Sequence, residues 1–306
     1  MSLKLMVVGA AIAGLCAGQA VALQKAVALA PAQLYLSPDA SSSKLGEVRP
    51  GMEIGIQSAS GAFVQIFAGV SGWMANHGYV KLDDPQAPEL IFGAGVGFET
   101  QAESGSGQDQ AALDAARLYL SIYSDFPASA RAAEALYRAA EIRWELKLSQ
   151  MPRRRTPEER QFPDDMLLRR VEAKFPNSPW AARAAYQLII EHFTCGDWTE
   201  KPQCVEKEID RYRDYVNKYP SGPYSAEAAY DALYRQGIAW TLYLRPGPRH
   251  DQGKAEQYQR ALAQQADAIA RAYPGTDWAA QAALLAFNAA HGIPLEVPGT
   301  TPLGGP

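Results

Sequence analysis

The sequence predicts an α+β multidomain protein, with a small β-barrel over residues 31–83 followed by an all-α helical-repeat solenoid over residues 108–292. Short β-rich runs separated by Gly, Pro and Ser predict the first unit. A phrase of an aromatic residue followed by Pro, which recurs four times, predicts the second. Hydrophobic residues make up 47% of the 306 residues, which is enough for cores in roughly two domains.

Residues 1–22 have the order of a secretory signal peptide. A positively charged start leads into an apolar run from Leu5 to Cys16, and small residues follow. Because this run is shorter than the ~20 residues that span a bilayer, we expect cleavage near Val21 or Leu23 and no integral membrane span afterwards. The mature protein is then periplasmic or secreted. A retained membrane anchor and a lipidated Cys16 are the open alternatives.

In the first unit, apolar side chains alternate with other residues along short runs. Met52, Ile54 and Ile56 fall on one face of one run, and Val64 and Ile66 fall on one face of another. This alternation is typical of antiparallel strands with one buried face. About five such strands in about fifty residues predict a small closed barrel.

Four short runs of this unit form a recognisable set: Leu34-Tyr35-Leu36-Ser37-Pro38, Leu45-Gly46-Glu47-Val48, Gly69-Val70-Ser71-Gly72-Trp73-Met74 and Gly78-Tyr79-Val80. Together they resemble the bacterial Src-homology-3 (SH3b) family. The resemblance implies an SH3-like β-barrel of a kind that often binds cell-wall peptides or other envelope proteins. Tyr35 and Trp73 are then candidate partner-binding residues, with a structural role as the alternative.

Residues 84–107 are rich in Pro, Gly, Ser and Glu. Such a composition buries too little apolar surface to offset the entropy of ordering, so we expect a linker that acts as a tether. The run Leu90-Ile91-Phe92 is apolar enough to dock on a neighbouring domain.

The repeated phrase begins at Phe126, Phe175, Tyr219 and Tyr273, each followed by Pro. Pro stops a first helix, and a capping residue three positions after the aromatic starts a second one. The predicted unit is therefore helix, tight turn, helix. The capping residues are Ser129, Ser178, Gly222 and Thr276.

Other positions around the phrase also share their chemistry. Residues four and seven positions before the aromatic lie on one stripe of the first helix. The ninth position after it is always Ala, which lets the second helix approach its neighbours closely. The fifth position holds Arg131, Trp180, Tyr224 and Trp278, and the eleventh holds Tyr137, Tyr186, Tyr230 and Leu284.

This pattern resembles the tetratricopeptide (TPR) family, in particular periplasmic members such as outer-membrane assembly lipoproteins and the Tol–Pal coordinator. The resemblance implies four stacked helix pairs in a non-catalytic adaptor that binds envelope proteins in its groove. Trp180, Tyr224 and Trp278 are then candidate partner-binding residues. Binding of peptidoglycan through the SH3-like unit is the alternative function. Residues 293–306 are expected to form a disordered tail.

Cys195 and Cys204 flank a short loop rich in Gly, Asp and Pro. In an oxidising compartment such a pair predicts a disulfide. His192 nearby leaves a zinc site as the alternative.

Charge and motifs bound the chemistry. The 29 basic and 33 acidic residues give a net charge of −4 and are mixed along the chain, so the sequence carries no electrostatic footprint for nucleic acid. We find no nucleophile elbow, phosphate loop or metal-ligand helix in it, and predict neither enzyme activity nor a cofactor. Glu141, Arg143 and Glu145 are interpreted as a solvated helix face rather than as paired catalytic acids.

One loop concentrates cations at Arg153, Arg154 and Arg155. It is interpreted as a solvated loop, with contact to anionic lipid or wall polymer as the alternative.

Overall fold

The computed structural model describes residues 23–104, 107–150, 165–192 and 202–297. These residues form a seven-stranded antiparallel sheet followed by nine helices, which confirms the predicted order of a β segment before an all-α segment. The strands are β1 (Gln24–Ala28), β2 (Ala32–Tyr35), β3 (Lys44–Val48), β4 (Glu53–Ser60), β5 (Phe63–Phe67), β6 (Ser71–Ala75) and β7 (Tyr79–Lys81). The helices are α1 (Ala87–Ser104), α2 (Gln108–Asp125), α3 (Ala132–Gln150), α4 (Met166–Lys174), α5 (Pro179–His192), α6 (Pro202–Lys218), α7 (Ser225–Leu244), α8 (Gln252–Ala272) and α9 (Asp277–Ala290).

The sheet is open, so the predicted closed barrel is wrong. Its strand order is β3-β2-β6-β5-β4-β1-β7, and among the described residues β3 and β7 are its two edges. The inner face carries the alternating apolar residues that the sequence predicted, including Ile54, Val64 and Ile66. Edge strand β7 lies against helix α1. Covering an edge with a helix protects it without closure.

Strand β1 is part of the sheet although the sequence did not predict it. It lies before the predicted start at residue 31 and pairs with both β4 and β7. Ala26 and Ala28 point into the core of the sheet, whereas Val27 points into a core that it shares with helices α1 and α2. A strand that is buried on both faces joins the sheet to the helices.

The tether predicted for residues 84–107 is wrong over Ala87–Ser104, which form helix α1. Ile91 and Phe92 are buried in one core with Tyr119 and Ile122 of α2. Two residues of the apolar run thus pack on α2, whereas Leu90 is 44% exposed. The composition wrongly predicted a flexible linker, because the burial of a few large side chains outweighs the low helix propensity of Gly.

A second contact locks the sheet onto α2. Gly51 has a left-handed backbone (φ 78°), and a Cβ atom placed there would lie 2.5 Å from the backbone carbon of Arg117. The Arg117 guanidinium donates a hydrogen bond to the Pro50 carbonyl (3.2 Å). Only Gly allows both the turn and this close approach.

The predicted unit of helix, tight turn, helix is present in all four copies, as α2/α3, α4/α5, α6/α7 and α8/α9. In each copy the N–H of the aromatic residue donates to the carbonyl four residues earlier, at 2.8–2.9 Å. The N–H three residues later then donates to the carbonyl of the aromatic residue. One backbone geometry therefore serves four different sequences.

Side-chain hydroxyl groups complete the turns. Ser178 accepts a hydrogen bond from the backbone N–H three residues on (3.1 Å) and donates one to the carbonyl of the turn's aromatic residue (2.8 Å). Thr276 makes the same two bonds at 3.2 and 2.9 Å. Gly222 has no hydroxyl group, and Ser225 donates to the Tyr219 carbonyl instead.

The chain continues in order beyond α9, so the disordered tail predicted from residue 293 is wrong for residues 293–297. We call these five residues the C-terminal strap. Val297 is only 2% exposed, and Leu295 packs beside it against α7. The strap is ordered because its aliphatic side chains find a hydrophobic surface on the helices.

Candidate partner-binding groove

The aromatic residues at the fifth position contact the chain itself. Each ring lies against the eleventh-position ring of the preceding helix pair. The three contacts are Trp180 on Tyr137 (5.4 Å between ring centroids), Tyr224 on Tyr186 (4.6 Å) and Trp278 on Tyr230 (5.4 Å). These rings therefore join successive helix pairs, and partner contact by Trp180, Tyr224 and Trp278 stays a prediction.

The contacts at these positions differ in the first and the last helix pair. At the first copy, Arg131 stands in the fifth position, lies 4.5 Å from the centroid of the Phe92 ring and pairs with Glu89. Helix α1 thus takes the place of a preceding pair. At the last copy, Leu284 is 59% exposed and Phe287 is 54% exposed, because no further helix follows α9 within the described residues.

A groove of about 470 Å³ runs between α1, α2 and α3. Its wall combines five carboxylates with short and branched aliphatic side chains, and a single Arg. The acidic members are Glu99, Glu103, Asp109, Glu141 and Glu145, and the apolar ones are Ala102, Ala112, Ile142 and Leu146. The groove has no His, Cys or Lys among the described residues that line it.

Neighbouring side chains fix two of these carboxylates. Glu99 accepts hydrogen bonds from the Tyr119 hydroxyl (2.9 Å) and from Arg138 (2.6 Å). Glu141 accepts one from the Tyr137 hydroxyl. Burial raises the pKa of Glu141, and the Tyr137 hydrogen bond opposes that shift.

The acidic wall is only partly neutralised. Arg138 pairs with Glu99 (2.6 Å) and with Glu134 (3.1 Å). Among the residues that the structure describes, no cationic side chain forms an ion pair with Glu141 or Glu145. The i, i+4 spacing of those two residues was visible in the sequence, but the solvated face predicted for them is wrong for half-buried Glu141.

The candidate residues of the sheet lie together on its outer face. Tyr35 and Trp73 are direct neighbours on β2 and β6. Phe63 meets the Tyr35 ring edge-on, with 6.2 Å between centroids. All three rings are half-buried, and a hollow of about 200 Å³ lies beside Tyr35 and His77.

Several predicted features lie wholly or partly outside the described residues. The signal peptide over 1–22, the candidate residues Arg153, Arg154 and Arg155, and Cys195 are among them. Cys204 is disulfide-bonded at the start of α6, and its pairing with Cys195 stays a prediction.

Within the ranges that the structure describes, no group of three His, Cys, Asp or Glu side chains is placed to hold a metal ion. None of the helices there combines the length and the apolar character needed to cross a membrane.

The structure is therefore an open antiparallel sheet that shares a core with a series of helix pairs. No family model matches the chain, and no curated protein matches it. Among solved structures, one titled "DHF58 filament" is similar over 67% of this chain and 88% of that chain, at 17% identity and a TM-score of 0.22. A TM-score of this size does not indicate a shared fold.

Proposed function

We propose that this protein is a non-catalytic adaptor of the cell envelope that binds a basic segment of a partner protein. The observation that carries the proposal is the acidic groove between α1, α2 and α3, with five carboxylates and one Arg on its wall. Export by the signal peptide belongs to the same proposal. It is tested by the amino-terminal mass of the protein recovered from the envelope, which should lack residues 1–22.

The chemistry of the groove selects the partner. Lys and Arg side chains carry a charged head on an aliphatic stem, so they satisfy carboxylates while they cover apolar surface. Ile142 and Leu146 supply that surface beside Glu141 and Glu145. An amphipathic segment with basic and aliphatic residues fits both kinds of wall.

A synthetic helical peptide with Lys and Leu on one face is a suitable probe, with binding followed by calorimetry. The double variant Glu141→Gln/Glu145→Gln should weaken binding about five- to thirty-fold, since each partly exposed charge contact is worth about 0.5–1 kcal/mol. Binding should also weaken as salt is added.

The matched control is Asp210→Asn/Asp214→Asn, which removes two charges at the same spacing from the exposed face of α6. This control should bind the peptide as the wild type does. Equal losses in both double variants would show that net charge, and not the groove, attracts the peptide. Crosslinking in intact envelopes, followed by mass spectrometry, then identifies the natural partner.

We further propose that the four helix pairs stack as a TPR-like solenoid. What supports this is the repeated ring contact from each eleventh position to the next fifth position, together with one turn geometry in all copies. Small-angle X-ray scattering should give an elongated particle. A radius of gyration near that of a compact 280-residue chain, about 19 Å, contradicts stacking.

Peptidoglycan binding through the sheet is the second candidate function. The outward ring cluster of Tyr35, Phe63 and Trp73 favours it, because aromatic clusters on a surface mark interaction sites. The test is sedimentation with purified cell-wall sacculi. Trp73→Ala should abolish sedimentation if the sheet binds the wall, whereas Trp278→Ala should not.

A further inference from the structure

The C-terminal strap lies on a surface that is built to receive it. The Leu295 N–H donates a hydrogen bond to the Thr241 hydroxyl oxygen (3.0 Å). Val297 is buried against α6 and the second half of α7, in a cluster with Val205, Ile209 and Ile238. The strap therefore crosses α7 and places Val297 against α6.

Two residues of α7 that suit a helix interior poorly are explained by the strap. A Cβ atom placed on Gly237 would lie 2.5 Å from Leu295 Cδ1, so only Gly leaves room for that side chain. Thr241 is fully buried, and its hydroxyl donates to the Gly237 carbonyl (3.1 Å) while it accepts from Leu295. Gly and Thr both lower helix propensity, and here both serve the contact.

The groove receives the aliphatic side chains of Leu295 and Val297, which are two residues apart, and the Leu295 N–H. Glu296 between them faces solvent. This spacing is that of an extended segment whose alternate side chains point the same way. Any chain with an aliphatic-x-aliphatic run in extended form carries the same features.

We propose that the groove over α6, α7 and α8 is a peptide-binding site for an extended aliphatic-x-aliphatic segment of a partner protein. The strap occupies it in cis until the partner segment displaces it. This groove is separate from the acidic groove over α1–α3, so either proposal can fail alone.

The strap is suited to exchange. It packs on α6–α8 through the side chains of Leu295 and Val297, the Leu295 N–H donates to Thr241, and the preceding residues His291 to Ile293 are exposed. The entropy lost on ordering five residues offsets much of what these contacts gain. The helices keep their own backbone hydrogen bonds when the strap leaves, so release does not require them to unfold.

The test uses the full chain with Leu295→Ala and Val297→Ala, which weakens the strap in cis. The probe is a fluorescein-labelled synthetic peptide of residues 289–297, and binding is followed by fluorescence anisotropy. The double variant should bind this peptide saturably. The wild-type chain should bind it about tenfold or more weakly, because its own strap competes at high effective concentration.

Three controls make the test specific to this groove. A peptide with the same two alanines should not bind. Adding Gly237→Ala to the double variant should abolish binding, since the new methyl group fills the space for Leu295. Gly97→Ala is the matched change, because a Cβ atom there meets nothing within 4 Å, and it should leave binding unchanged.

Three results would overturn the proposal. The first is a double variant that keeps its helical circular dichroism but binds no peptide. The second is a double variant that loses its helices, since the strap is then an integral part of the fold. The third is a wild-type dimer that becomes a monomer in the double variant, which makes a second copy the occupant.

Discussion

Helix α1 offers a sharp test of how the sheet and the helices are joined, through two of its glycines. Gly95→Ala and Gly97→Ala make the same chemical change in one helix interior. Each gains about 0.5–1 kcal/mol from the lower backbone entropy of Ala. At Gly97 the added methyl group meets nothing within 4 Å, so this variant should be stabilised by about that amount.

At Gly95 the added methyl group has no room. Its carbon would lie 2.6 and 2.8 Å from two ring atoms of Tyr119, whereas carbon atoms pack at about 3.5–4.0 Å. The Tyr119 ring is fully buried, and its hydroxyl is held by Glu99 (2.9 Å). Moving the ring by about 1 Å is overpacking, which costs about 1–3 kcal/mol.

Both variants gain the same amount from helix propensity, so this gain cancels when their stabilities are compared. Gly95→Ala should therefore be less stable than Gly97→Ala by about 1–3 kcal/mol. Urea unfolding followed by circular dichroism at a fixed temperature measures this difference from the shift in midpoint. Hydrogen exchange read by mass spectrometry should place the loss in α1 and α2. Equal stabilisation by both changes would refute the docking of α1 on Tyr119.

Three further outcomes follow from individual contacts. Gly51→Ala should lower the melting temperature more than Gly97→Ala raises it, because it combines a left-handed backbone with a methyl group 2.5 Å from the Arg117 backbone; an unchanged melting curve contradicts this contact. Thr276→Ala should cost about 0.5–2 kcal/mol in urea unfolding through loss of the cap on α9, and Thr276→Ser should restore it. Burial acts to raise the pKa of Glu206, but hydrogen bonds from Lys254 and two tyrosines outweigh it and hold the pKa below the usual 4.5. The stability that Glu206 supplies is therefore present above pH 4.5 and lost as the pH falls below it, so Glu206→Gln should be less stable at neutral pH and should approach the wild type on acidification.

The helix pairs could be predicted because their signals are local. Pro after an aromatic residue stops one helix, and a small polar residue three positions after that aromatic starts the next one. The invariant Ala at the ninth position is fully buried in all four copies, as at Ala135 and Ala282. Such features need no knowledge of distant contacts.

Helix α1 and strand β1 could not be predicted in the same way. Gly93, Gly95 and Gly97 suggest a flexible linker, and only the distant Tyr119 ring explains why Gly stands at the middle position. Strand β1 is short and rich in Ala, so its strand character depends on pairing with β4 and β7 rather than on propensity.

The candidate binding residues could also be predicted from the sequence only in part. Large residues at Trp180, Tyr224 and Trp278 could be located from the repeat, but whether they contact a partner or a neighbouring ring depends on the distance between helix pairs. Glu141 and Glu145 could be placed on one helix face by their spacing. The groove itself needed α1, which the sequence did not predict.

The path of the strap along the helices indicates its role. Leu284 is 59% exposed and Phe287 is 54% exposed on α9, and the centroid of the Phe287 ring lies 4.0 Å from that of His291, which precedes the strap. A segment that served only to cap the last helix pair would cover this surface, since terminal repeats need a cover. The strap turns away from it and inserts Leu295 over Gly237. Among the described residues the strap leaves Leu284 and Phe287 exposed and places Leu295 in a fitted groove on α7, as a segment that competes for a binding site would do.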